Sequence, residues 1–250
     1  MSNYVPHPDG LATQHDGSEG LAIKDTFINR LLTLLALKTT AKFYSRCGSC
    51  IRISRKKIAK TGPWVHLTEG ATMKFVSDNT SMPVSKVYCS FVRKNRAYTV
   101  MERIQGQDIP DVWGKMTEDS CQKLLSELQG MIRELRSLNP AKGHGVSSCL
   151  GGSLRDSRIP KSRPRSGPFD FVNEFHLWLR DHLQPEDHST WGDEQEWEEI
   201  KRMAAKQDET YPPPVFTHGD LNPSNVLVRD GKVAGIIDWE FSGWYTHYWE

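Results

Sequence analysis

Apolar positions recur along this chain first with mixed and then with helical spacing. The change falls near Gly106. Residues 25–37 put Phe27, Ile28, Leu31, Leu32 and Leu35 on one stripe, the spacing of a helix. Residues 50–54 and 57–60 alternate as strands do. Residues 68–78 read as a helix with Thr68 as its N-cap, and 86–92 and 97–101 as strands again. Beyond Gly106 the pattern turns helical: 117–138 carries Cys121, Leu124, Leu128, Met131, Ile132 and Leu135 on one face. Helices are expected at 169–183 and 194–206, and residues 143–167, rich in Gly, Ser, Pro and Arg, should be irregular. The chain therefore divides into a disordered tail (1–22), a strand-and-helix lobe (23–105) and a mainly helical lobe (106–250).

The strongest chemical signal lies late in the chain. Val226-Leu-Val and Val233-Ala-Gly-Ile-Ile are short apolar runs around Asp230-Gly231, a strong hairpin signal. If Arg229 faces Lys232 across the turn, Asn225 falls opposite Ile236, and Asp238 shares its face. Such diagonal neighbours have Cβ atoms about 7–8 Å apart, within reach of one cation. Their oxygen donors suit a hard ion such as Mg²⁺. Asp220 sits in the polar, proline-containing loop just before the hairpin. Taken singly, these are ordinary turn residues. The combination is different: His218-x-Asp220, then Asn225, then a strand-terminal Asp238 is the spacing used in phosphoryl transfer. One carboxylate there orients the accepting hydroxyl, while an amide and a second carboxylate hold magnesium on the nucleotide phosphates.

His218-Gly-Asp-Leu-Asn-Pro-Ser-Asn225 with Ile237-Asp-Trp-Glu240 resembles the catalytic core of the aminoglycoside phosphotransferase and choline kinase family, and its fungal phosphotransferase-like branch most closely. The resemblance covers roughly residues 56–250. It departs at Asn222, where many members carry His. It implies an α+β, two-lobed protein-kinase-like fold with a small antiparallel sheet and one key helix in the first lobe. It further implies ATP and Mg²⁺ as cosubstrates and a small-molecule hydroxyl as acceptor. Asp220 would take the hydroxyl proton, His218 would shape the loop, and Asn225 and Asp238 would bind the metal. Lys60, ending a strand, and Glu69, opening the next helix, match the pair that steadies the phosphates, with Lys56 and Lys57 competing for the lysine role. By residue type alone, Lys60 reads as a solvated lysine and Glu69 as a helix-dipole carboxylate. Glu102 and Ile104 would offer backbone groups to adenine with Met101 packed beside the ring. Gly48 and Ser49 are the sensible candidates for a phosphate-covering loop, since no G-x-G-x-x-G occurs.

Bulk properties narrow the partners. With 32 basic and 31 acidic residues and a formal net charge of +1, the 250-residue chain gives no reason to expect nucleic acid or an anionic membrane. The apolar run at 31–37 is far too short to span a bilayer, and residues 1–20 lack the pattern of a secretory signal. Five cysteines, an odd number, argue for a reducing, cytoplasmic setting. Cys47 and Cys50 have the spacing of a metal knuckle but no second pair follows, so they read as small residues near a loop. The arginines of 155–165 and the acidic run 193–199 read as solvated surface. Resembling proteins continue with further helices past this point, so the second lobe is expected to be incomplete. That leaves a catalytically inactive nucleotide-binding pseudoenzyme, or a truncated kinase-like protein, as the alternative. The acceptor and the oligomeric state are left open.

Overall fold

The computed structural model describes residues 10–140, 145–159, 164–184, 187 and 193–250. A short helix α1 (Gly10–Thr13) and helix α2 (Phe27–Lys38) precede strands β1 (Arg46–Cys47), β2 (Cys50–Arg52) and β3 (Lys57–Gly62). Helix α3 (Leu67–Asn79) follows, then β4 (Val87–Val92) and β5 (Ala97–Glu102). These strands form one antiparallel sheet of five in the order β1-β2-β3-β5-β4. The rest comprises β6 (Gln107–Asp108), α4 (Ile109–Trp113), α5 (Glu118–Arg136), α6 (Val172–Leu179) and α7 (Glu194–Gln207), then β7 (Val215–Thr217), β8 (Val226–Arg229), β9 (Lys232–Ile236) and β10 (Gly243–Tyr245). The fold is α+β with two lobes, as the family resemblance implies.

Local chemistry explains the helix starts. Thr26 and Thr117 accept the N–H groups of Asn29 and Ser120 at the heads of α2 and α5. At α3 the expected cap is displaced: the His66 imidazole, not Thr68, accepts an orphan N–H, that of Thr68 itself. The predicted helix 169–183 shortens to α6, because Asp181 and His182 adopt left-handed conformations (φ +55° and +62°) that end it.

At the amino-terminal side the tail expected to be disordered is structured over residues 10–22, and the helix expected at 25–37 forms but turns its apolar stripe to solvent. Residues 1–9 of the expected tail lie outside the described residues, but 10–22 pack against the first lobe. His15 is buried and its ring stacks on His66 with centroids 5.3 Å apart. The apolar stripe of α2 faces outward, with Phe27 79% and Ile28 66% exposed, while Thr33 is buried beside Cys89.

The main apolar core runs through both lobes. Met73 and Val76 of α3 and Met101 of β5 join Leu124 of α5, Phe216, Val226 and Ile236, with Trp239 and Trp244 closing it. The described residues of 145–169 are joined to β10 by the bridge of Ser147 with Trp244, and their two ends to each other by that of Val146 with Phe169. No helix among the described residues is long and apolar enough to cross a membrane. All five cysteines are unpaired, and burial pushes the Cys50 thiol up to about 11.

Candidate active site

The loop from β7 into β8 is shaped by a buried histidine. His218 is fully buried, its Nε2 lies 3.0 Å from Ile237 O, and its Nδ1 accepts the Asp220 N–H (3.3 Å). An acceptor Nδ1 and a carbonyl beside Nε2 fix the neutral tautomer with the proton on Nε2. Burial drives the His218 pKa down to about 4. Gly219 follows with φ +84°, and a Cβ there would lie 2.4 Å from Phe241 O, so only glycine fits. The Ser242 hydroxyl donates to His218 O (2.9 Å), binding the loop to the segment after β9.

Asp220 is held from both sides. Asn225 Nδ2 donates to its Oδ2 (3.0 Å) and its backbone oxygen (2.8 Å), and Asn222 Nδ2 donates to Oδ1 (3.1 Å). Asn222 also accepts the Ser224 N–H (2.9 Å), capping the single turn that delivers Asn225. The sequence offered no role for Asn222, and its Asx geometry before Pro223 was the signal that could have supplied one. Glu250 is a second missed residue: its carboxylate accepts the N–H groups of His218 (3.0 Å) and Gly219 (3.2 Å). No local pattern marks it, since its partners lie some thirty residues away.

The hairpin register differs from the expected one by one residue. Arg229 does pair with Lys232, but a bulge between Leu227 and Val228 places Val226 opposite Ile236. Asn225 therefore faces Ile237, whose N–H donates to Asn225 O (2.9 Å), rather than Ile236. The chain then turns at Asp238 into the left-handed region (φ +65°, ψ +60°), which Asp tolerates better than most residues. This turn aims the Asp238 carboxylate across to the first lobe.

There it meets Lys60. The Lys60 ammonium donates to Glu69 (2.9 Å) and Asp238 (2.5 Å) and lies 3.5 Å from Glu240, although Lys60 and Asp238 are 178 positions apart. Lys60 is buried, whereas Lys56 and Lys57 are exposed, Lys57 lying over the Tyr88 ring. Burial alone would pull the Lys60 ammonium down, but Glu69, Glu240 and Asp238 outweigh it and hold it above its ordinary value. Burial likewise pushes Glu69 up to about 7, and its Oε2 has no partner. Three carboxylates around one ammonium leave a surplus of negative charge that a divalent cation would neutralise.

The remaining expected residues are more loosely placed. Met101 is buried in the core, and the Glu102 N–H is engaged by Lys86 O (2.9 Å). Ile104 lies over Gly235, where a Cβ would come within 2.3 Å of Ile104 Cδ1, closing the floor between the lobes. Gly48, at φ +54°, and Ser49 form the β1–β2 turn beside β3, with Ser49 O accepting the Thr61 N–H (3.0 Å). Beside Asp220 opens a cleft of about 200 Å³, walled by Ser157 and Arg158 on one side and Asn222 on the other. Among the described residues no group of three His, Cys, Asp or Glu side chains could hold a metal by itself.

Two lobes joined by a buried lysine–glutamate pair and a strand-terminal aspartate define a kinase-like phosphotransferase architecture. The chain belongs to the phosphotransferase enzyme family, whose model matches residues 67–249. It is 29% identical over 132 residues to an aminoglycoside 3'-phosphotransferase of Enterococcus faecalis, covering 51% of this chain and 44% of that protein. A shorter match, 44% identical over 48 residues, joins it to an aminoglycoside 3'-phosphotransferase of Escherichia coli, covering 19% of this chain and 16% of that one. The chain thus aligns with less than half the length of these curated relatives. Among solved structures, aminoglycoside phosphotransferase APH(3'')-Id from Streptomyces rimosus, in complex with ADP and streptomycin, superposes with a TM-score of 0.52 at 17% identity, covering 88% of this chain and 79% of that one. The ADP-bound APH(2'')-Ib gives 0.52 at 15%, covering 87% and 72%.

Proposed function

We propose that this chain is a Mg²⁺-dependent ATP phosphotransferase that moves the γ-phosphate to a hydroxyl of a small molecule. The observation that carries this reading is the buried Lys60, which joins Glu69 of the first lobe to Asp238 of the second. The ADP held by the structurally similar APH(3'')-Id supports the nucleotide, and its streptomycin supports a small hydroxylated acceptor.

Asn225 and Asp238 fit a hard cation: the Asn225 nitrogen is engaged by Asp220, leaving its oxygen, and the Asp238 side chain is 40% exposed. Magnesium keeps waters and phosphate oxygens in its shell, so two protein oxygens suffice, and bound there it would supply charge neutralisation along the phosphates. Lys60 steadies phosphate oxygens and is itself fixed by Glu69. Asp220, with each oxygen held by an asparagine amide, orients the acceptor hydroxyl and takes its proton late in transfer. His218, buried and with both ring nitrogens engaged by backbone groups, keeps the loop in shape and takes no part in proton transfer. Met101, the carbonyl of Glu102 and the N–H of Ile104 receive the adenine, and Gly48 and Ser49 lie toward the phosphates.

Isothermal titration of the chain with ATP and Mg²⁺ should show binding that weakens at least about tenfold in Asp238→Ala, and Asp220→Asn should lower ATP turnover about 100-fold or more while leaving binding intact. Equal turnover in parent and Asp220→Asn would remove Asp220 from the mechanism. Binding without turnover in the parent would favour the non-catalytic alternative.

A further inference from the structure

The segment 145–169 has no part in the chemistry described so far, yet it reaches both sides of the site. Its arginines read as solvated from the sequence, but Arg165 is partly buried, and that burial pulls its guanidinium down to about 10. Its recorded partners are neutral oxygens, Ser153 Oγ (2.8 Å), Ser153 O and Thr68 Oγ1 (3.1 Å). A partly desolvated guanidinium whose hydrogen bonds all go to neutral oxygens carries a cost, so its place calls for a reason. Its two bonds to Ser153 brace its own segment, and the third spans 97 positions to the first turn of α3.

That turn holds Glu69. Thr68 precedes it, and the Thr68 hydroxyl also meets His66 Nδ1 (2.6 Å), the side chain that caps the helix. One turn further along α3, the Thr72 hydroxyl meets Cys149 Sγ (3.5 Å) of the same segment. Arg155 adds a third attachment: Nη1 donates to Trp64 O (3.1 Å) in the loop leading into α3, and its guanidinium lies over the Trp64 ring (5.2 Å). On its other side Arg155 lies 3.7 Å from Glu240, two residues beyond Asp238. The segment itself is tied to β10 through Ser147 and Trp244. A continuous mechanical path therefore runs from the second lobe through Arg165 and Arg155 to the amino-terminal end of α3. Glu69 touches Lys60 through one oxygen only, so its place depends on where that helix end is held.

We infer that Arg165, assisted by Arg155, is a positioning residue that pins α3 so that Glu69 engages Lys60. Protein kinases hold the equivalent helix by phosphorylating an activation segment that then binds arginines. In this chain the arginines are built into the segment and bond the helix directly, so the paired state of Lys60 and Glu69 needs no modification. Only the catalytic readout rests on the proposed phosphotransfer.

Three single variants, one double variant and two readouts test this. Arg165→Met should lower ATP turnover about tenfold, and Arg165→Lys, which keeps a donor, should recover part of it. If Arg165 acts through Glu69, Arg165→Met should add less than about twofold to the loss already caused by Glu69→Gln. Multiplicative losses would overturn the inference. The second readout is amide hydrogen exchange. In Arg165→Met the amides of residues 68–76 should exchange about tenfold faster while those of α5 stay unchanged. Unchanged α3 exchange, or acceleration spread evenly over the chain, would also overturn it, in the latter case leaving Arg165 a general stabiliser. A parent without turnover would reject the phosphotransferase reading alone, and the exchange measurement would still decide the role of Arg165.

Discussion

Helices α2 and α3 have nearly equal lengths and opposite fates. The first has a clear apolar stripe, and the stripe faces out, with Phe27, Ile28, Leu31, Leu32 and Leu35 all exposed. The second has little amphipathic pattern and includes threonines, a glycine and a glutamate, yet residues 67–73 are all buried. Periodicity describes what a helix could bury, whereas the surroundings decide what it does bury. α3 lies between the five-stranded sheet and the turn after Asp238 and meets the irregular segment 145–169, so even its polar face is enclosed. A Cβ added at Gly70 would meet Thr99 and Ser90 of the sheet at 3.4 to 3.7 Å, ordinary contact distance, so α3 lies close on the sheet there without requiring glycine. Enclosure has a chemical result: it places a carboxylate and an ammonium together out of water, where their attraction is little screened.

The contrast can be broken most severely at the charge pair. Lys60→Met should lower ATP turnover by about two orders of magnitude or more, while Leu32→Ser on α2 should change it less than about twofold, measured under saturating nucleotide. Packing should give the next largest difference. Met73→Ala, at 2% exposure in the core, should cost about 2–5 kcal/mol in urea unfolding, and Leu32→Ser about 0.5 kcal/mol or less. A comparable loss for both would mean that the α2 stripe is covered in solution.

The smallest effect concerns the cap of α3. His66→Ala should cost about 1 kcal/mol at pH 7 by removing the acceptor for the Thr68 N–H. Burial lowers the His66 pKa to about 3 from an ordinary 6.5, so its contribution is complete above pH 6.5 and fades as pH falls toward 3. The cost of His66→Ala should therefore shrink on acidification. The difference between variant and parent is the quantity to follow. Glu69 runs the opposite way: its raised pKa of about 7 makes its contribution fall as pH rises from 4.5 to 7. A His66→Ala cost that grew on acidification would show that His66 stabilises the fold by a contact other than this cap, since the charged ring has no acceptor nitrogen.

Much of the site was legible because its residues obey short-range rules. His218, Asp220 and Asn225 share one loop, and Asp230-Gly231 fixes the turn that brings Asp238 back beside it. The bulge that moved Asn225 from Ile236 to Ile237 was not legible, since an extra residue in a ladder leaves no mark in an apolar run. Glu250 and Arg165 were missed for a related reason: each is an unremarkable charged residue whose partners are distant in sequence. The cap of α3 was misplaced by two residues because histidine is an uncommon N-cap and Thr68 offered the commoner chemistry.

The sequence by itself determined the kinds of elements, their order, the turn of the catalytic hairpin and the residue types gathered there, because propensity, capping and turn geometry act over a few neighbouring positions. Only the tertiary structure decided which helix faces are buried, which of three nearby lysines is buried beside Glu69, and that one partly buried arginine reaches the helix carrying Glu69. Those outcomes depend on groups that chain closure brings together across 97 to 178 positions, and no local pattern encodes what will stand opposite.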